Sequence, residues 1–556
     1  MKTRYILFGI VIIAFLLRLF YLGKTPLALE WDEVALGYDA YSILTTGKDQ
    51  FGKFLPSTFR SLDDYKPPIY EYLTVPSVFI FGLTPFATRL PSAVFGSLAV
   101  VMTFFLGQTI FSKISVTKNY SIYISLLSSL LLAVSPWHLQ FSRAAFEVNV
   151  SVFITISAIV LFLRGLTSPK LFFISALLFG IDLFSYHSTR VVSPLLLITL
   201  FYLFNRKLPP RRIVGIFLAI YILFIILVFP ILISKDAQIR FTATNIFTPG
   251  ARYLDEKDLP RQFLQERIKD ENAGFAFAGK IFHNARLIYT DYDTLKKALG
   301  NYLSNFSFEY LFVKGDAPLH HAPGFGLLYI LELPFLVVGI VFLLLKGFNR
   351  YSAFTLLWMA VAPITNAVTR EAPHAVRTEL ILPTYQLFTA FGMSVVFMLL
   401  QKQSRWAIVT GITCITFLFV ISLASYLHQY YVHTNYEFSK FWMSGRKEAV
   451  EYTERHKNEY EKIYVSLHLE MPHMFWLFYT KYPPPLYLAQ GGTVSGGFAD
   501  ERNHFDKYYF RNFTYPENPS EGKILYVGLP RDFPPGVAIK ETIYYLNGEK
   551  AIIIAE

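Results

Sequence analysis

The chain is short of charge and nearly without cysteine. Charged residues fill 16% of its 556 positions, against about a quarter in an ordinary globular chain, which is too little to cover a surface in water. Cysteine occurs once, as Cys414 inside an apolar run. That excludes an intrachain disulfide and any site built on cysteine ligands, and it leaves the redox compartment unread. Also missing are an H-E-x-x-H pair, a C-x-x-C pair, a P-loop and a G-x-G-x-x-G turn, so metal-hydrolase, ATPase and dinucleotide readings lack support. Internal repeats and low-complexity tracts are absent too. Apolar residues fill the space instead: 53% of the chain is hydrophobic and 17% aromatic. This is the composition of an integral membrane protein. It rules out an ordinary cytosolic enzyme, a disordered scaffold and a collagen-like fibre.

Eleven apolar runs are expected to span: 5–22, 91–111, 120–134, 148–163, 171–186, 191–204, 213–233, 324–345, 352–368, 380–400 and 406–427. Several fall short of the ~20 residues of a straight crossing, so their ends should extend into neighbouring loops. The first follows Lys2 and Arg4 and outlasts a usual signal core, so it reads as an uncleaved span. The stretch from Pro68 to Thr84 is ambiguous, being interrupted by Glu71 and Pro76. Charge decides it. The net charge of +11 reflects 51 Lys+Arg against 40 Asp+Glu, and its natural reading is a positive-inside bias rather than nucleic-acid binding. If 68–84 does not span, the basic turns near Lys113, Arg164, Lys207, Arg211, Lys346 and Arg405 all fall on one side. The other side then keeps isolated arginines: Arg89, Arg143, Arg190, Arg370 and Arg377. The expected fold is therefore mainly α-helical and polytopic, with about eleven transmembrane helices and the N-terminus inside. A membrane domain, 1–427, carries outer loops at about 23–90 and 234–323. A small extracytoplasmic α/β domain, 428–556, follows, with a helix at 446–462 and strands at 462–466, 523–529 and 551–555.

Candidate chemistry gathers at the outer rim. Asp32 and Glu33 lie a few residues past the first span. A helix starting near Trp31 would set Asp32 and Asp39 seven apart on one face, with Leu36 and Tyr41 toward lipid. Such acids can equally cap a helix or face water. Lys66 precedes two prolines, so its backbone is held extended; it presents a cation to a ligand or snorkels at the interface. The arginines recur just before helices that enter the membrane, where capping logic favours anions instead. A phosphate held between them explains the recurrence, and lipid headgroups are the alternative. Near the tenth run, Pro373 suits a first helical turn, with His374 and Arg377 on one face. Arg18, Asp182 and Glu332 fall inside spans and should face protein or a cavity, Arg18 by snorkelling. The adjacent His320 and His321 should point apart, and no metal site is expected from the motifs.

Several segments carry a resemblance: Asp32-Glu33 after the first span, "YKPP" (65–68), "TRLPSAVFGSLAVV" (88–101), "SPWHLQFSRAAFE" (135–147), "YHSTR" (186–190) and "PHAVRTELILPTY" (373–385). Together they resemble the family-39 glycosyltransferases of the GT-C fold, which include protein O-mannosyltransferases and lipid A aminoarabinose transferases. The resemblance runs through the first ten spans and is most specific in the first hundred residues. It implies a GT-C-like membrane enzyme that moves a sugar from a polyprenyl-phosphate carrier to a lipid, glycan or protein acceptor at the outer face of the cell membrane. Asp32 would be the general base, with Glu33 beside it. Lys66 would hold the carrier phosphate, helped by Arg89, Arg190 and Arg377, and Asp39, Tyr65, His187 and His374 would line the rest of the pocket. Tyr65 stands where the aminoarabinose transferases have Glu. That argues against lipid A as acceptor and against a metal site built on that residue. No cofactor is implied, and a divalent cation is left open. Physical reasoning runs parallel: an outward-facing transferase has no nucleotide sugars, so its activated bond must arrive on a lipid, and the departing phosphate needs placed cations. One carboxylate base without a second, nucleophilic carboxylate gives inversion. A transporter or flippase for a lipid-linked sugar is the competing reading, although no paired halves are evident.

Overall fold

The computed structural model describes residues 2–61, 64–234, 244–247, 265, 268–276, 286–494, 503–516 and 522–556. Much of the expected outer loop 234–323 lies outside the described residues. All eleven apolar runs carry helix. The first ten helices are α1 (Lys2–Leu19), α2 (Trp31–Thr46), α3 (Ile69–Phe81), α4 (Pro85–Phe111), α5 (Ser121–Val134), α6 (Pro136–Phe141), α7 (Glu147–Gly165), α8 (Pro169–Asp182), α9 (Thr189–Phe204) and α10 (Arg211–Leu232). Later runs form Glu332–Lys346, Arg350–Val361, Thr384–Leu400 and Arg405–His428. The ambiguous stretch gives α3, whose 13 residues reach about two thirds of the ~20 needed to cross.

Helix length carries fewer crossings than the eleven expected. Among the described residues, four helices are long and apolar enough: Pro85–Phe111, Glu147–Gly165, Arg211–Leu232 and Arg405–Glu437. A fifth arises if Ala375–Ile381 and Thr384–Leu400, bent by 52°, form one span. The others are cut short by Ser135-Pro136 after α5, Ser168-Pro169 before α8 and Pro363 after Arg350–Val361, since proline cannot continue a helical ladder. Two of the long helices are almost unpacked. The apolar window of α10 is 17% buried and that of Arg405–Glu437 is 0% buried. They expose Leu223, Ile226, Phe229, Phe417 and Val420, a surface suited to hydrocarbon and not to water. The protein is a membrane protein.

Charge sorts the two ends. Asn349 donates to the Lys113 carbonyl at 3.0 Å, Arg164 to Thr109 at 3.1 Å, and Lys207 lies 5.6 Å over the Tyr351 ring, so the basic turns meet at one end. Close helix contacts hold the bundle. A Cβ on Gly392 would lie 1.8 Å from the Phe335 carbonyl, and one on Gly339 2.1 Å from that of Phe388. The helices Glu332–Lys346 and Thr384–Leu400 therefore touch backbone to backbone.

At the other end a hairpin, β1 (Phe59–Ser61) with β2 (Asp64–Lys66), pairs Phe59 with Lys66. The C-terminal part builds a six-stranded mixed sheet from β3 (Lys462–Val465), β4 (His504–Phe505), β5 (Tyr508–Phe510), β6 (Ile524–Gly528), β7 (Ile539–Tyr544) and β8 (Lys550–Ala555). Its order is β4-β5-β3-β6-β8-β7. The expected helix appears as Arg446–His456 followed by a short 3-10 turn. Position 428 is no break in the chain, since helix continues through Thr434–Glu437. The sheet domain's core also takes in Leu29, Val34, Ala35 and Tyr38 from the start of α2, packed with Met474, Phe478 and Tyr487. Gly37 permits this close approach: a Cβ there would meet Phe478 at 2.5 Å and Thr88 at 2.6 Å.

Candidate functional site

Helix α2 begins at Trp31, as expected, and places its two adjacent acids in opposite settings. Glu33 is buried and fully engaged. Its Oε1 accepts from Arg89 Nε at 2.8 Å and from the Ala145 amide at 2.9 Å. Its Oε2 accepts from Arg89 Nη2 at 2.8 Å and from the Glu30 amide at 3.3 Å. Arg89 spends its remaining N–H groups on the carbonyls of Leu22 and Pro26 through Nη1 and Ala28 through Nη2. All five guanidinium donors are then committed. The geometry makes Glu33 and Arg89 a pin that fixes α2 to α4 and the 22–28 turn. This corrects the expectation that Arg89 grips a phosphate and that Glu33 shares the catalysis.

Asp32 turns the other way. Its Oδ1 lies 2.7 Å from Lys66 Nζ, and Lys66 also stands 3.6 Å from Glu147 Oε1. Lys66 is 5% exposed at its side chain and Asp32 39%, so a buried cation backs a carboxylate that still meets solvent. The hairpin end and the two following prolines set Lys66; Ser61 of β1 adds a 3.5 Å hydrogen bond to Asp32. Burial opposes the charge on Lys66, but Asp32, then Glu147 and Glu30, hold it well above the ordinary lysine range. Glu30 is pushed well above the usual carboxyl range by burial and by the negative charge of Asp32. Sequence reasoning passed over Glu30 and Glu147. Glu147 closes the motif "SPWHLQFSRAAFE", and its place as the first residue of α7 was the available signal.

The other candidates fall into separate clusters. Asp39 is buried and accepts from the Gln50 amide at 3.0 Å and from Gln50 Nε2 at 3.1 Å; it holds the 47–54 loop instead of lining a shared pocket with Asp32. Burial, then Asp49, raises its carboxyl to about 8. Leu36 is buried against Tyr70, Ala145 and Ile154 and does not face lipid. Tyr65 sits half-buried on β2 opposite Arg60. Arg190 donates to the Leu183 carbonyl at 3.2 Å and lies 3.2 Å from His187. Arg377 donates to the Glu371 carbonyl and side chain. Pro373 and His374 precede the helical turn Ala375–Thr378 instead of opening it.

A common rule replaces the anion cradle inferred from the arginines: they satisfy carbonyls that helix ends and turns leave unpaired. Arg143 donates to the carbonyls of Leu17 and Arg18 at the end of α1, and Arg190 to Leu183 after α8. Arg18 does not snorkel; it is fully buried and binds the carbonyls of Leu132 and Ala133 at the end of α5.

Two further features border the site. Glu30 and Trp31 line a cavity of about 620 Å³ shared with Leu319, Lys440, His468 and Arg531. Nearby, Asp316, His320 and His374 converge, with one donor atom of each within 4.8 Å of the others. No motif announced this trio. Burial would raise the Asp316 carboxyl, but His320, then His374 and the Ala375 amide, bring it down to about 2.

No family model matches the chain, and no curated protein matches it. Solved structures do. ArnT from Cupriavidus metallidurans in the apo state is similar at a TM-score of 0.52 and 11% identity, over 98% of this chain and 97% of that one. The same protein bound to undecaprenyl phosphate gives 0.51 and 11%, again over 98% and 97%. The oligosaccharyltransferase of Archaeoglobus fulgidus, tethered to an acceptor peptide, gives 0.48 and 14% over 87% of this chain. This chain spans 63% of that protein's length. The chain's structural neighbours are GT-C glycosyltransferases, and its fold is theirs.

Proposed function

We propose that the protein is an inverting glycosyltransferase that moves a sugar from a polyprenyl-phosphate carrier to an acceptor hydroxyl at the outer face of the membrane. The reading is carried by the solvent-touching Asp32 backed at 2.7 Å by the buried Lys66, on a GT-C fold. Lys66 has three N–H donors; with two directed at Asp32 and Glu147, one is left for a phosphate oxygen. The acceptor hydroxyl gives its proton to Asp32 as its oxygen bonds to the anomeric carbon. The bond from that carbon to the phosphate oxygen breaks with its electron pair, and the charge developing there is stabilised by Lys66. Glu33 and Arg89 hold α2 in register with this geometry. The gathering of the basic turns at the opposite end of the bundle supports an outward-facing site.

The purified chain, given a polyprenyl-phosphate-linked sugar and candidate acceptors, should release free polyprenyl phosphate, which a flippase would not. Asp32→Asn should lower that release by about 10²- to 10⁴-fold and leave carrier binding in place. Unchanged turnover in Asp32→Asn defeats the base assignment.

A further inference from the structure

We propose that Asp316, His320 and His374 bind a divalent metal ion of the zinc class, which staples the 314–326 loop to the 369–378 segment. The two segments are far apart in sequence, yet one donor atom from each of the three residues lies within 4.8 Å of the other two. His320 Nδ1 is 2.8 Å from Asp316 Oδ2, and the Ala375 amide donates to that same oxygen at 2.8 Å. Asp316 Oδ1 is left buried without a hydrogen-bond partner, a costly state for a carboxylate oxygen and one that a cation relieves. A carboxylate on one ring nitrogen fixes a histidine's tautomer and frees the other nitrogen as a metal donor. The His320 ring is further oriented by Phe141 at 5.7 Å and Phe146 at 5.8 Å.

The two imidazoles stand with ring centroids 4.9 Å apart. Both carrying protons would repel; both neutral around one cation attract it. Two nitrogens and one carboxylate favour zinc over magnesium or calcium, which prefer all-oxygen sets. Zinc bonds of about 2.0–2.1 Å require the donors to draw closer than they now stand, so binding tightens the two segments. Glu371 Oε2, 4.0 Å from His374 Nε2, or a water completes four ligands. The trio adjoins the proposed reaction centre through Phe146, whose neighbour Glu147 faces Lys66 at 3.6 Å. It does not depend on the glycosyl-transfer reading, because occupancy is measured without turnover.

The test uses the full chain in detergent, free of any histidine tag, stripped with chelator and dialysed against micromolar zinc. Elemental analysis should find one zinc per chain. Asp316→Asn and His374→Gln should each weaken zinc binding by about 10- to 100-fold, while His321→Ala, whose ring Nδ1 instead faces the Ala322 carbonyl, should keep it. Zinc should also raise the melting temperature of the unaltered protein and of His321→Ala. That reading stands if either ligand variant fails to fold. Absence of zinc from the unaltered protein, absence of the melting shift, or full retention of zinc in both ligand variants overturns the proposal.

Discussion

Replacing Arg89 with lysine separates two jobs that a cation beside a proposed phosphate site could hold. Lysine keeps the positive charge, so a phosphate contact would largely survive. It offers three donors where Arg89 uses five, and it cannot grip both oxygens of Glu33. At least two of the bonds to Glu33, Leu22, Pro26 and Ala28 must then be lost. Hydrogen bonds to a charged group contribute about 1.5–3 kcal/mol each, which puts the loss at about 3–6 kcal/mol. Both partners are buried, at 0% and 2% side-chain exposure, so water does not replace the missing donors. The assay is thermal unfolding in detergent alongside carrier-lipid binding on the folded fraction. The melting temperature should fall by about 5 °C, with carrier affinity in the surviving fold close to unchanged. An unaltered melting temperature accompanied by weakened carrier binding would refute the positioning role and restore Arg89 to the phosphate.

Three other outcomes are expected. Lys66→Gln leaves Asp32 and Glu147 facing each other without their cation, and carrier affinity measured by titration should fall by about 100-fold; equal affinity would remove Lys66 from the phosphate site. Asp39 keeps its proton up to about pH 8 when folded but loses it near 3.8 when unfolded. A carboxyl raised in this way makes stability fall as pH climbs from about 4 to 8 and level off above. The melting-temperature difference between the wild type and Asp39→Asn should therefore change across that window, and a constant difference would count against it. Gly392→Ala places a methyl 1.8 Å from the Phe335 carbonyl and should drive the two helices apart, with loss of folded yield and a lowered melting temperature; normal yield would deny the backbone contact.

The helices were legible because a run of apolar residues in a charge-poor chain has few other fates. Their true lengths were less so, since prolines such as Pro136, Pro169 and Pro363 end helices inside or beside apolar runs. Asp32 and Lys66 could be read because each has a local marker, the end of a span and a pair of prolines. The arginines misled for a physical reason. Position before a helix suggests what a guanidinium would do to that helix, whereas Arg89, Arg143 and Arg190 serve carbonyls on other segments that sequence spacing does not reveal. The trio of Asp316, His320 and His374 was hidden in the same way, one member lying on a segment that only the tertiary fold brings near. The strands of the C-terminal sheet matched their hydrophobic runs closely, but nothing in those runs foretold that α2 would complete the core beneath them.

That completion has a consequence for how the protein can be altered. Tyr38 donates to the Tyr482 carbonyl at 3.0 Å, and Thr493 bonds Gln50 through both its amide and its hydroxyl. The segment bearing Asp32 thus belongs to both halves at once. A chimera that exchanged the sheet domain alone would strip that segment of half its packing, so a workable junction must carry residues 29–50 along with the sheet. By the same route, any load placed on the sheet domain from outside the membrane reaches the reacting carboxylate through a single rigid helix.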